Sequence, residues 1–155
     1  MEALWASVVA VGGTLMGAVI THVFQRSASQ RGELFARSEA LRQERMTTYS
    51  SFAAVLEDYR HGQAGRWYSG QEDPDGAAYL AARDEAHRLR TVARQALYRV
   101  KLVTDDREVI LAAERAYQCT RDISTAQERT ERDPLDARAR RAIEGFVARA
   151  APLTR

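Results

Sequence analysis

Apolar positions follow a continuous pattern near the amino end and a periodic one beyond it. From Ala3 to Phe24 no Asp, Glu, Lys or Arg interrupts a run of 22 residues, and farther on the apolar residues recur at spacings of three and four. As a helix the run would reach ~33 Å, about the thickness of a bilayer's hydrocarbon core. These patterns predict a transmembrane anchor at residues 1–25, a polar stalk at 26–40 and an all-α antiparallel bundle of long helices at 41–155.

The charges around the uncharged run orient the predicted anchor. Arg26, Arg31 and Arg37 follow the run, whereas no basic residue precedes it. Because basic residues tend to stay on the cytoplasmic side, the C-terminal part is expected to be cytoplasmic. The amino end also lacks the basic residues that begin a cleaved signal peptide. The expectation is a single-pass protein of the cell membrane, in contact with membrane lipid, with its N-terminus outside.

Small residues form one face of the predicted span. Ala6, Ala10, Gly13, Gly17 and Thr21 recur at spacings of three and four residues. Because such a face lets two helix backbones approach closely, it predicts a helix-association face and a homo-oligomer. An Ala-rich chain would also place small residues there by composition alone.

The first cytoplasmic helix and the loop after it are predicted from apolar spacing and turn residues. Tyr49, Phe52 and Leu56 form an apolar face, which continues the helix beyond the stalk. Residues 61–76 contain four glycines and end in an Asp-Pro-Asp-Gly sequence. Because glycine and proline favour turns, this stretch is predicted to be the main loop.

Three further helices are predicted from seams and capping residues. The second helix, about 77–103, has a heptad seam, formed by Tyr79, Ala82, Ala86, Leu89, Ala93, Ala96, Val100 and Val103. Asp105 and Glu108 have the spacing of a capping box, which would open the third helix. Asp133 before Pro134 would open the fourth. Because the connections are short, neighbouring helices are expected to run antiparallel.

A resemblance to known proteins is carried by the segment Arg42–Phe52. Its sequence RQERMTTYSSF contains the pattern R-x-E-R-x-x-x-Y-x-x-F, which resembles uncharacterised bacterial proteins that have an N-terminal span and a cytoplasmic helical domain. The resemblance implies a similar layout and brings no assigned activity. From their positions, Tyr49 and Phe52 are expected in the core, and Arg42 and Arg45 near lipid headgroups.

Composition and motifs favour a protein that is not an enzyme. The 23 basic and 21 acidic residues leave a net charge of +2, so no global field draws the chain to nucleic acid, an unlikely partner. The sequence has no dinucleotide-binding, Walker or nucleophile-elbow motif, and we assign no catalytic residue and no cofactor. The pairs Asp58/His61 and Asp84/His87 could present ligands to a metal pair, but we expect solvent-exposed histidines and no metal site. Cys119 is predicted to be a small buried residue.

A basic ridge is predicted on the second helix. Arg83, Arg90, Arg94 and Lys101 fall along one helical stripe. They could pair with carboxylates inside the bundle, which we favour, or bind phosphate groups of nucleic acid or lipid.

Adjacent aromatic residues are placed in the predicted loop. Trp67 and Tyr68 could anchor a partner or form a lid over the bundle, and we favour the lid because a small core needs its large side chains.

These observations predict a membrane-anchored scaffold or regulatory module that binds an unknown protein partner and has no catalytic activity. The alternative is a small oligomerising membrane effector that perturbs the bilayer. A second alternative is binding of nucleic acid or anionic lipid by the basic helix.

Overall fold

Short turns separate four helices. The computed structural model describes residues 35–155 with their side chains and the helical backbone from Glu2 onward. The helices are α1 (Glu2–Glu72), α2 (Ala77–Val103), α3 (Arg107–Asp122) and α4 (Arg129–Ala150), with 3-10 turns at Ile123–Thr125 and Ala151–Thr154. The described backbone contains no strand. The chain divides into two compact units, residues 1–40 and Leu41–Arg155, and the second unit forms the bundle described below.

The structure contradicts the membrane-spanning helix that was part of the predicted fold. Among the residues it describes, no helix is both long enough and apolar enough to cross a membrane. Charged side chains recur along the bundle helices, and α2 alone carries Arg83, Asp84 and Glu85 in succession. The predicted span Ala3–Phe24 and its association face lie outside the residues with described side chains. The single-pass membrane localisation and the outside N-terminus depended on that span, and they are withdrawn.

The predicted main loop at 61–76 is wrong over most of its length. α1 continues to Glu72, which leaves a turn of four residues before α2. Each glycine lowers helix propensity by about 1 kcal/mol relative to Ala, a cost that tertiary packing can offset. Gly62 shows the benefit of the missing side chain, because a Cβ there would come 2.5 Å from Leu89 Cδ1 of α2. The glycine therefore permits a close approach of α1 to α2.

The core lies along the inner faces of the four helices. Phe146 of α4 makes edge-to-face contacts with Phe52 and Tyr49 of α1, at centroid distances of 5.0 and 5.9 Å. Tyr59 of α1 packs against Tyr117 of α3 at 6.4 Å. Buried residues of α2 complete the core, namely Ala86, Leu89, Ala93, Leu97 and Val100. Large aromatic side chains from α1 and α4 thus fill the space left by the Ala-rich seams of α2 and α3.

The starts of α3 and α4 differ from the predicted ones. Asp106, not Asp105, caps α3, because its side chain accepts from the backbone N–H groups of Glu108 and Val109. α4 begins at Arg129, so Pro134 lies inside the helix. Glu131 holds this earlier start by accepting from the N–H of Gln127 at 2.9 Å. Side-chain hydrogen bonds therefore fix where both helices begin. The start of α3 lies one residue after the predicted position, and the start of α4 lies several residues before it.

Burial of Tyr59 predicts a loss of stability at high pH. Burial raises the pKa of its phenol from 10.0 to about 12. The unfolded chain therefore releases this proton above pH 10 while the folded chain retains it, so stability present below pH 10 is lost as the pH rises towards 12. We expect this group to lower the free energy of unfolding by roughly 2–3 kcal/mol over that range.

The measurement is urea unfolding from pH 9 to pH 12 for the wild type and Tyr59→Phe. The variant should lose less stability than the wild type as the pH rises. Identical pH dependence in the two proteins would contradict the expectation.

Candidate anion-binding groove

A groove between α3 and α4 concentrates arginine side chains. Its volume is about 500 Å³, and its lining includes Arg115 from α3 and Arg138, Arg141 and Arg149 from α4. We call this feature, defined by the four arginines, the arginine groove. Small or apolar residues also line the groove, namely Leu111, Ala112, Ala142 and Gly145.

Helical spacing on α4 places three of these arginines on one side of the helix. Arg138, Arg141, Gly145 and Arg149 follow one another at intervals of three, four and four residues, so their side chains line a single stripe. From Arg138 to Arg149 the stripe extends roughly 16 Å along the helix axis. Arg149 Nη1 donates to the Gly145 carbonyl at 3.2 Å, which holds its head group beside the groove. Arg115 of α3 supplies the facing charge.

The charge in the arginine groove is largely uncompensated. Glu108 is the one carboxylate in its lining, so four positive charges minus one negative charge leave an excess of three. Over residues 35–155, Arg115, Arg138 and Arg141 take part in none of the observed ion pairs. Each guanidinium presents donors in a planar fork that matches phosphate or carboxylate oxygens. The groove is therefore suited to an extended anionic ligand.

The predicted basic ridge on α2 is more engaged with its own chain. Lys101 forms an ion pair with Glu114 of α3, and Arg83 forms one with Asp84 at 3.5 Å. A hydrogen bond to Tyr117 raises the pKa of Arg90. Arg94 has no partner among the side chains that the structure describes. Internal partners therefore occupy three of the four ridge residues.

The family of the chain is decided by a match over the bundle. A family model described as KilB plasmid transfer protein matches residues 46–154, which are 109 of the 155 residues. The chain belongs to the KilB plasmid transfer protein family. No significant match was found among curated proteins or solved structures. The KilB match includes both walls of the arginine groove.

The resemblance suggested by the segment Arg42–Phe52 agrees with the KilB match at a coarse level. Both point to bacterial proteins, and the match begins within the segment, at residue 46. Tyr49 and Phe52 are buried, as predicted. Arg45 instead donates from Nε to the carbonyl of Val103 at 2.9 Å, which satisfies an acceptor at the end of α2. Its role in the KilB bundle is thus to connect α1 to the end of α2.

Trp67 and Tyr68 lie on α1 of the KilB-family bundle, and the loop predicted around them is wrong. Trp67 is half-buried and Tyr68 is 44% exposed. Arg132 of α4 lies against both rings, with its guanidinium carbon 5.7 Å from the Trp67 centroid and 4.8 Å from the Tyr68 centroid. The pair therefore packs against a cation at the end of the bundle where α1 ends and α4 begins.

The candidate metal ligands do not come together. Asp58, His61, Asp84 and His87 are exposed, and no group of three or more His, Cys, Asp or Glu within the described part of the chain could hold a metal ion. Cys119 is buried, as predicted, in a small cluster with Ile123 and Ala139.

The arginine groove itself was missed by sequence reasoning, although a signal for it exists. The spacing of Arg138, Arg141 and Arg149 marks a basic stripe on α4. The sequence does not reveal that Arg115, 23 residues before Arg138, faces the same stripe. Only the packing of α3 against α4 brings the four charges together.

Proposed function

We propose that this KilB-family chain acts in plasmid transfer as a helical binding module whose arginine groove holds the phosphate backbone of DNA. The observation that carries the proposal is the excess of three positive charges in a groove of about 500 Å³. The family description supplies the process, and the groove supplies a surface suited to the polyanion that such a process moves.

Phosphate recognition fits the shape and composition of the groove. A DNA strand advances 3.4 Å along its axis per phosphate, so the roughly 16 Å stripe on α4 is matched to about five phosphates. No aromatic side chain of residues 35–155 lines the groove, so the stacking that holds unpaired bases has no platform there. Contacts would therefore be made to the backbone, which carries no sequence information directly.

The small net charge of the chain is compatible with this role. A net charge of +2 gives little long-range attraction. Short-range binding depends on local charge, and the arginine groove gathers four arginines around a single carboxylate. The expectation that nucleic acid is an unlikely partner rested on the global balance, which does not describe the surface between α3 and α4.

The proposal assigns binding to the groove and no chemical step. Arginine remains protonated in proteins, so the four guanidinium groups are unsuited to act as a base or a nucleophile. Their chemistry is recognition of oxyanions.

Salt dependence tests the proposed binding. We expect the full chain to bind 20-nucleotide duplexes of two unrelated sequences with equal affinity, and the logarithm of the association constant to fall with the logarithm of salt concentration. Four phosphate contacts give a slope of about −3 to −4 for duplex DNA. Fluorescence anisotropy between 50 and 200 mM salt measures it.

Two results would overturn the proposal. One is the absence of binding at the lowest salt concentration, and the other is binding whose affinity does not change with salt. A strong preference for one duplex sequence would contradict backbone recognition.

A further inference from the structure

α2 carries a stripe of exposed side chains on the side that faces away from the core. Its members recur at alternating intervals of four and three residues, and each of them is exposed. They are Leu80, Asp84, His87, Thr91, Arg94 and Tyr98. We call this set the outer stripe. At about 100° per residue its members fall within roughly 80° of one another around the helix, so one partner helix can contact them all.

Large apolar side chains lie at both ends of the outer stripe. Leu80 is 42% exposed and Tyr98 is 55% exposed. They are 18 residues apart, which corresponds to five helical turns and roughly 27 Å along the axis. Apolar residues at heptad spacing are the ones that hold two helices together. The uncovered pair therefore indicates a surface for another helix.

The charges between these two side chains are opposite in sign. Asp84 follows Leu80 by four residues, and Arg94 precedes Tyr98 by four. Asp84 Oδ1 lies 3.5 Å from Nε of the adjacent Arg83, an exposed ion pair of little strength. Arg94 takes part in none of the ion pairs observed over residues 35–155. The order apolar, acidic, basic, apolar is complementary to its own reverse.

This complementarity selects a second copy of the chain as the partner. When two α2 helices run antiparallel, Leu80 of one copy lies opposite Tyr98 of the other, and a twofold axis repeats the contact. Asp84 of one copy lies opposite Arg94 of the other in the same alignment. In a parallel pair each residue would face its own counterpart, so carboxylate would meet carboxylate and guanidinium would meet guanidinium. Because like charges in contact are destabilising, the charges favour the antiparallel pair.

Two further arginines lie beside the middle of the outer stripe, and both are engaged within their own chain. Arg88 donates to Glu85 from Nε and Nη2 at 2.7 and 2.6 Å. A hydrogen bond to Tyr117 of α3 raises the pKa of Arg90. These partners reduce the repulsion that the arginines of two copies would exert on each other near the twofold axis.

We propose that the outer stripe binds a second copy of this chain, as an antiparallel dimer of α2 helices with Leu80 against Tyr98 and Asp84 against Arg94. The arginine groove lies between α3 and α4, so this inference does not depend on the proposed DNA binding. Each copy contributes only two large apolar side chains, and small interfaces of this kind are transient. We expect a dissociation constant of roughly 10–100 µM.

Sedimentation equilibrium of the full chain measures the association. Between about 5 and 500 µM protein, we expect the average mass to rise from that of one chain towards that of two. A chain that stays monomeric over this range would overturn the proposal.

An exchange of charges tests the pairing itself. Asp84→Arg places two cations opposite each other at two symmetry-related points, and Arg94→Asp places two anions there. Each single variant should raise the dissociation constant at least tenfold. The double variant restores opposite charges in exchanged positions, so its dissociation constant should return to within about threefold of the wild-type value. A double variant that dimerises no better than the single ones would overturn the proposal, as would single variants that dimerise like the wild type.

Arg99→Asp is the matched control for Arg94→Asp. Arg99 is also exposed on α2, but it lies about 100° around the helix from Tyr98 and outside the outer stripe. The same change of charge there should alter the dissociation constant less than about threefold. An effect as large as that of Arg94→Asp would mean that total charge governs association, and it would overturn the proposed contact. Circular dichroism verifies that each variant remains folded.

Disulfide formation tests the direction of the helices. Leu80→Cys combined with Tyr98→Cys should give a covalent dimer on oxidation, because two thiols meet at each end of the pair. Leu80→Cys alone should remain uncoupled on a non-reducing gel, since the two copies of this position lie roughly 27 Å apart in the antiparallel dimer. The native Cys119 is buried. Equal cross-linking of the single and the double variant would overturn the antiparallel arrangement.

Discussion

Replacing Arg115, Arg138 and Arg141 by glutamine is expected to weaken DNA binding by two to three orders of magnitude at 0.1 M salt. Each neutralised phosphate contact releases counterions, which contributes close to tenfold in affinity at that salt concentration. Three lost contacts should therefore lower the affinity ~10²–10³-fold. They should also make the slope of the logarithm of the association constant against the logarithm of salt concentration about 2–3 units shallower. The three guanidinium groups form no ion pair with a described carboxylate, so the substitution leaves no buried acid unpaired.

The control for this result is a second variant with the same change in charge. Arg83→Gln, Arg94→Gln and Lys101→Gln together remove three positive charges from the basic ridge on α2. We expect less than a fivefold loss, because Arg83 and Lys101 already pair with carboxylates. If the ridge variant loses as much affinity as the groove variant, binding depends on total charge and the arginine groove has no special role. If only the ridge variant loses affinity, the ridge is the binding surface.

Truncating Phe146 is expected to destabilise the bundle by about 3–5 kcal/mol. The side chain is fully buried and contacts the rings of Phe52 and Tyr49 edge to face. Phe146→Ala removes these contacts and leaves a cavity between α1 and α4. Because small domains are stable by only about 5–15 kcal/mol, such a loss is a large part of the total.

Urea unfolding monitored by circular dichroism measures the effect. Leu102→Ala is the control, since Leu102 is 84% exposed on α2 and its truncation should change stability by less than about 0.5 kcal/mol. A loss below about 1 kcal/mol in Phe146→Ala would contradict the central position assigned to this residue.

Periodic apolar positions correctly located much of the core. The predicted seam of α2 is confirmed at Ala86, Leu89, Ala93 and Val100, which are buried. The prediction did not include Leu97, which is buried one position after the predicted seam residue Ala96. A stripe of apolar residues defines the buried face of a helix to within about one position, because side chains next to the seam also reach the core.

Local signals were less reliable at helix ends. Four glycines and an Asp-Pro-Asp-Gly sequence predicted a long loop, yet only residues 73–76 form the turn. Glycine weakens a helix without forbidding it, and contacts such as that of Gly62 with Leu89 decide the outcome. Pro134 similarly lies inside α4 because the helix starts five residues earlier, where Glu131 binds the preceding backbone.

The sequence by itself determined the helical class, the bundle of α2 to α4 and the inward positions of Tyr49, Phe52 and Cys119, because these follow from periodicity within single helices. Only the tertiary structure decided which surfaces bring several positive charges together. Arg115 and Arg138 are far apart in the chain and meet where α3 packs on α4. The contact of Arg132 with Trp67 likewise joins α4 to α1. Sequence spacing reports neighbours along one helix, whereas a binding surface depends on neighbours across helices, which packing alone selects.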